Sequence, residues 1–261
     1  MIIFASGTTG SIGRHLQKVE PFTIRLTEAA SNFDSEFKKS NPDAFIHLAA
    51  ITDIRSAASS EELSYEVNVI GATKTIHAFA QNGGRRFIFA STGHVYGSTE
   101  LGGFALESDT PRPKSVYAKH KLIAEEKLLD IAAEYGIELV NARIFSVFGA
   151  NMAGHYLASK IFNSQKLSSS STEYPLVKNG LDVRDFLEPL TVANALYKLA
   201  SIGNIKSGGE TINICSGKPL TVRERILMDF PNWPESKIEG NNSETPYLVG
   251  SNKKIQKVLS F

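Results

Sequence analysis

The sequence predicts an α/β fold, a doubly wound parallel sheet with helices on both faces, carrying a small C-terminal lobe. Three observations predict it. Short apolar runs alternate with helical stretches along the first 150 residues, the order expected of strand-helix units in a parallel sheet. The first run is followed at once by a glycine-rich turn and a helix. Beyond about residue 150 the alternation lapses and a serine run, Ser168-Ser169-Ser170-Ser171, reads as a surface loop.

The elements can be justified in chain order. Ile2-Ile3-Phe4-Ala5-Ser6 is apolar on both strand faces, as a buried parallel strand should be. Gly7-Thr8-Thr9-Gly10-Ser11-Ile12-Gly13 then leads into a helix from Arg14. Strand, glycine turn and helix together read as a dinucleotide-binding start. The early glycines allow a tight turn and close backbone approach to a pyrophosphate, and the last allows close helix-strand packing. The spacing is G-x-x-G-x-x-G, and as a bare string it is weak; its place after a strand gives it weight. Further strands are expected at 22–26, 44–48, 86–91 and 138–143, with long helices at 62–82 and 115–135. Only seventeen residues separate Leu26 from Ala44, so a single helix fits there, roughly 32–40.

Tyr117 and Lys121 stand four positions apart in the second long helix, one turn apart on one face. A phenol with an ordinary pKa near ~10 is a poor proton carrier at neutral pH. A neighbouring ammonium favours its ionised form, and such a phenol can exchange a proton with a sugar or alcohol oxygen. Alone, the pair is equally at home on a solvated helix.

Composition sets limits. At 261 residues the chain is one large domain, or a domain with a lobe. A hydrophobic content of 42% and a net charge of +1 are those of an ordinary soluble protein, with no excess charge to suggest a nucleic-acid or membrane partner. Cys215 is the single cysteine, which excludes an intramolecular disulfide; it lies in an apolar run suited to core packing, and no metal site is expected. With Met1 running straight into the first strand and no leader-like or membrane-length apolar segment, a cytoplasmic location is expected.

Taken in order, eight segments resemble the extended short-chain dehydrogenase/reductase family of nucleotide-sugar epimerases, dehydratases and reductases. They are the glycine turn; Phe45-Ile46-His47-Leu48-Ala49-Ala50; Asn68-Val69-Ile70-Gly71-Ala72-Thr73; Phe87 through Gly97; Tyr117 with Lys121; Arg143 through Gly149; and Val183-Arg184-Asp185-Phe186, closed by Thr211 through Gly217. The resemblance implies a Rossmann fold over residues 1–150 and a substrate-binding lobe over 151–261, partly interleaved with it. The shortened stretch after Leu26 is more similar to the dTDP-4-dehydrorhamnose reductase branch than to the long epimerases.

The resemblance also implies roles. Tyr117 would be the acid or base on the reacting oxygen, Lys121 would lower its pKa and hold the nicotinamide ribose, and Thr92 would bond the same oxygen, with Ser91 as the alternative if the register is off by one. Gly7, Thr9, Gly10, Ser11, Ile12, Gly13, Arg14, Leu48, Ala49 and Ala50, together with Tyr117 and Lys121, would line the cofactor. Thr92, His94, Tyr117, Ser146 and Arg184 would meet the substrate. Ser146 stands where many relatives carry Asn. Arg184 has a donor fork suited to a pyrophosphate; its plain alternative is an ion pair with Asp185 or Glu188. Asn68 is expected to tether helix to strand and Arg143 to be structural. No acidic residue closes the second strand, and Arg14 and Arg25 could reach a 2′-phosphate, so NADP is favoured over NAD, although Glu28 supports the opposite choice. The expected activity is reduction of a 4-keto group on a nucleotide-activated sugar. A 4-epimerase and a non-catalytic NAD(P)-binding subunit are the alternatives, and a homodimer is possible.

Overall fold

A computed structural model describes residues 1–20, 24–26, 33–150, 152, 154, 156–166, 174–201, 205, 208–240 and 246–259. The main sheet runs in the order β2 (Ile24–Leu26), β1 (Ile3–Ser6), β3 (Ala44–His47), β4 (Arg86–Thr92), β5 (Glu138–Ile144), β8 (Glu210–Ile214). All five pairings are parallel. Between the fifth and the last lie β6 (Ser146–Val147) and β7 (Val183–Leu187). These form a smaller sheet with β10 (Tyr247–Leu248), and β9 (Pro219–Thr221) adds to β7 antiparallel.

The helices in chain order are α1 (Gly13–Val19), α2 (Phe33–Ser40), α3 (Ile54–Ser59), α4 (Glu61–Tyr65), α5 (Gly71–Gln81), α6 (Val116–Tyr135), α7 (Leu157–Lys166), α8 (Pro189–Ser201), α9 (Val222–Asp229) and α10 (Lys253–Leu259). The single helix expected between the second and third strands is α2. The helix expected at 62–82 is α4 and α5 joined through a π-helical turn, Glu66–Ile70. The strand expected at 22–26 is described only as β2, and Glu28 and the serine run lie outside the described residues.

Strand alternation decides which helices cover which face. Ile3, Ala5, Ile46, Ile88, Val140 and Ala142 point to the side of Leu16 on α1 and of Val192, Leu196 and Leu199 on α8. Phe4, Phe45, Phe87 and Phe89 point to the other side, against Phe37, Phe79 and the buried face of α6. Rings there meet edge-on, as Phe37 does with Phe45, or stacked, as Phe45 does with Phe87, both favoured aromatic arrangements. The lobe has a core of its own, built on Phe148, Ile161, Ile226 and Trp233. α8 and β8, late in the sequence, pack into the large unit.

Sequence order reverses between β1 and β3: the chain leaves β1 to one side for β2 and returns on the other. A crevice opens at the carboxyl ends of such a pair, the usual ligand position in doubly wound sheets.

Candidate active site

The glycine turn occupies that crevice. Gly7 has a φ of +67°, and a Cβ there would lie 2.6 Å from the backbone of Leu48 and Ala49. A Cβ on Gly13 would lie 2.5 Å from the Gly7 carbonyl oxygen and from Thr8 Cα. Only hydrogen at these positions lets the turn fold flat against the loop after β3, with α1 tight on the sheet. The Gly10 N–H donates to the Gly7 carbonyl at 3.1 Å and the Arg14 guanidinium to the Thr9 carbonyl at 2.7 Å. Thr9 and Gly10 are exposed. α1 has no side-chain cap and no acidic residue in its first turn, an arrangement that favours an anion at its amino end. Backbone left open by glycines at 7, 10 and 13, leading into a helix without a side-chain cap, fits a pyrophosphate. Ser11 and Ile12 complete the turn, and Leu48, Ala49 and Ala50 are half-buried beside it.

The chemical groups come from β4 and α6. Ser115 caps α6, its hydroxyl accepting from the Ala118 N–H at 3.2 Å, and Gly136 ends it at a φ of 70°. Between them Tyr117, Ala118, Lys121, Ala124, Glu125 and Leu128 are buried, a helical stripe facing the sheet. The Tyr117 phenol lies beside the hydroxyl of Thr92, the last residue of β4, which favours its ionised form. Thr92 also accepts from the His94 N–H at 3.2 Å, capping the short turn that follows the strand. Ser91 donates to Glu125 instead, so the hydroxyl that meets Tyr117 is that of Thr92.

One sequence expectation is corrected. Burial, reinforced by Tyr156 and only partly opposed by the Thr92 hydroxyl, pushes the Tyr117 phenol above its ordinary pKa. Lys121 does not lower it. Its ammonium donates to the Ala90 carbonyl at 2.8 Å and lies 4.4 Å from the centre of the Phe89 ring. Burial brings Lys121 itself down to about 7, with Glu125 acting in the opposite direction. Desolvation thus leads the shift of each side chain.

On the lobe side, Arg184 pairs with Asp182 at 2.6 Å, not with either partner expected from sequence. Asp185 accepts from the Ser216 N–H and hydroxyl, both at 2.7 Å, and Glu188 pairs with Arg225. His94 is held down to about 4 by burial and by Arg184. It is therefore neutral at pH 7, suited to hydrogen bonding and not to service as a charged acid. Ser146 is half-buried in β6, in register with Phe186. Asn68 is the expected tether: its Oδ1 accepts from the Ile51 N–H at 2.8 Å and its Nδ2 donates to the Ile51 carbonyl at 3.0 Å. Arg143 is structural, its guanidinium bonded to both oxygens of Glu125. Cys215 is buried as expected.

Sequence reading missed Glu125, Thr52 and Tyr156. Glu125 stands four residues after Lys121, so helical spacing could have found it. Tyr156 shares a 2.5 Å hydrogen bond with Thr52 across 104 residues, and nothing in the sequence links them.

With this geometry in hand, the similarities to known proteins can be placed. The GDP-6-deoxy-D-mannose reductase of Pseudomonas aeruginosa is 27% identical over 238 residues, 86% of this chain and 77% of that protein. The GDP-6-deoxy-D-talose 4-dehydrogenase of Aggregatibacter actinomycetemcomitans is 27% identical over 282 residues, covering 99% and 91%. The structure of RMD from Pseudomonas aeruginosa complexed with NADPH superposes with a TM-score of 0.83 at 25% identity, over 99% of this chain and 92% of that one. MoeE5 in complex with UDP-glucuronic acid and NAD has the same fold, with a TM-score of 0.85 at 22% identity, covering 100% and 93%. A model of the NAD dependent epimerase/dehydratase family matches residues 2–215. The chain belongs to the NAD dependent epimerase/dehydratase family.

Proposed function

We propose that this protein is an NAD(P)-dependent oxidoreductase that reduces the 4-keto group of a nucleotide-activated sugar. The carrying observation is Tyr117: a buried phenol beside Thr92 at the carboxyl end of β4, held protonated at neutral pH. A resident proton beside a second hydroxyl is what a carbonyl oxygen needs as it becomes an alcohol. When bound, the nicotinamide supplies the hydride. Tyr117 gives its proton to the sugar oxygen, Thr92 holds that oxygen in line, and Lys121, anchored on Ala90, stands one turn further along α6 for the ribose. The flat glycine turn takes the pyrophosphate, with Arg14 over its rim. Arg184 is near enough to His94 to disfavour its protonation, and the sugar nucleotide's phosphates would meet a cation there.

The relatives support the substrate class. Two relatives, each 27% identical over most of this chain, are named for GDP-6-deoxysugars, and the NADPH in the RMD complex supports NADP as the coenzyme. A 4-epimerase is the second reading, favoured by the 24% identity to the UDP-glucose 4-epimerase of Rhizobium meliloti. The family resemblance implies an Asp-Glu pair directly after the Thr92 position in enzymes that eliminate water; here Gly93-His94 stands there, so hydride chemistry at one carbon is expected and dehydration is not.

Incubation with GDP-6-deoxy-D-mannose and NADP should generate reduced nicotinamide, read by ultraviolet absorbance, without loss of water by mass spectrometry. Tyr117→Phe should lower that rate by about 10²–10⁴-fold while leaving NADP affinity within about twofold, since it removes the transferred proton and little contact surface. Interconversion of UDP-glucose and UDP-galactose on retained cofactor would select the epimerase. Full turnover by Tyr117→Phe would remove the phenol from the chemistry.

A further inference from the structure

Tyr156 opens the lobe's side of the cleft just before α7, half-buried. Its hydroxyl meets Thr52 Oγ1 in the loop after β3 at 2.5 Å. That loop is rigidly held. Asn68, wholly buried in the π-helical turn, bonds both backbone atoms of Ile51 and also donates to Ser64 Oγ at 3.2 Å. Ser64 in turn bonds His120 Nδ1 on α6 at 3.0 Å. Thr52 therefore follows a residue fixed to the helix that carries Tyr117, and it sets where the Tyr156 hydroxyl stands. Tyr156 is also near enough to Tyr117 to disfavour its ionisation.

Four hydroxyl side chains from separate elements thus stand at this edge of the sheet: Thr92 beside Tyr117, and Thr52 bonded to Tyr156. A phenol or alcohol both donates and accepts, and a set of neutral hydroxyls suits a polyhydroxylated ring better than an anion. The charged groups lie further along, at Arg184. We propose that Tyr156, positioned by Thr52, is a substrate-recognition residue whose phenol contacts a ring hydroxyl of the hexose beside the carbon served by Tyr117. This rests on the nucleotide-sugar reading above and adds to it a residue that selects the sugar rather than the nucleotide.

The test is calorimetric titration of the full chain with UDP, UDP-glucose, GDP and GDP-mannose, for the wild type, Tyr156→Phe and Thr52→Val. Loss of one neutral hydrogen bond should weaken each nucleotide sugar about three- to tenfold in Tyr156→Phe. Thr52→Val, which leaves the phenol in place but unfixed, should lose about two- to threefold. Both variants should bind UDP and GDP within about twofold of wild type, because the bond at stake is to the sugar. Equal weakening of nucleotide and nucleotide sugar would make Tyr156 a prop for the lobe and overturn the proposal. Unchanged affinity for every compound would overturn it too. If the wild type itself bound no nucleotide sugar differently from its bare nucleotide, the nucleotide-sugar reading would fail and carry this proposal down with it.

Discussion

The two ends of the cleft are built from different materials. At β1 and β3 the site is backbone: Gly7 and Gly13 lie against Leu48, Ala49 and Thr8 so closely that a methyl group has no room. Among β4, β5 and α6 it is side chain: Lys121, Glu125 and Arg143 are 1%, 2% and 5% exposed, three charged groups sealed in one layer. The first end cannot accept added atoms. The second cannot lose the ones it has, because each buried charge depends on its partner. A surface for an invariant phosphate ester can be made by leaving side chains out, whereas proton chemistry needs polar groups held in a dry place.

The largest effect should come from breaking the side-chain end. Glu125 accepts two bonds from the Arg143 Nε and one from Nη2, takes the Ser91 proton donor, and supports the charge on Lys121. Glu125→Gln leaves a guanidinium buried without its counter-ion and should cost about 3–5 kcal/mol in urea unfolding. Adding Arg143→Met should recover much of that loss. Since Glu125 holds the Lys121 pKa up, the single variant should also move any lysine-dependent limb of the pH-rate profile to lower pH. Unfolding within about 1 kcal/mol of wild type would show that the layer is wet and the contrast drawn above is false.

The same contrast explains what could be read in the sequence. The backbone end was legible: glycines at 7, 10 and 13 after an apolar run have one economical explanation, and that pattern is local. The pair Tyr117–Lys121 was legible for the same reason, being one helical turn. The direction of the Tyr117 shift was not, because spacing reports which groups are neighbours but not how much water they have lost. Arg184 found Asp182 two residues before it rather than Asp185 one after, since β7 alternates its side chains and residues two apart share a face. Thr52 and Tyr156 were invisible because their meeting depends on how the lobe sits on the sheet.

A smaller effect tests the backbone end. Gly7→Ala would place Cβ within 2.6 Å of backbone atoms that cannot swing aside, at a positive φ. Gly102 shares that conformation, with a φ of +79°, but has open space around it. The left-handed conformation alone should cost Gly102→Ala about 1–2 kcal/mol. Gly7→Ala adds a clash to that strain, so it should lose more stability than Gly102→Ala and also its affinity for NADP, measured by quenching of bound reduced cofactor fluorescence. Equal losses at the two positions would mean that the turn has slack and that close packing is not what the glycine provides.

The smallest effect lies at the lobe end and appears only in acid. His94 is lowered from 6.5 to about 4 by burial first and by Arg184 second. Between those values the unfolded chain binds the proton that the folded chain refuses, so stability rises with pH through this window and is fully present above 6.5. Acidifying from pH 6.5 to 5 should therefore remove about 1.5 kcal/mol through this residue. His47, lowered to about 3 by burial and by Lys121, adds a slope of the same sign, so only the difference between variants isolates His94. His94→Gln keeps a polar side chain without the titration, and its unfolding free energy should fall less than that of wild type over the same interval. Parallel curves for the two proteins would mean that His94 charges freely in the folded state, and the lobe side of the cleft would then carry a second cation beside Arg184 in mild acid.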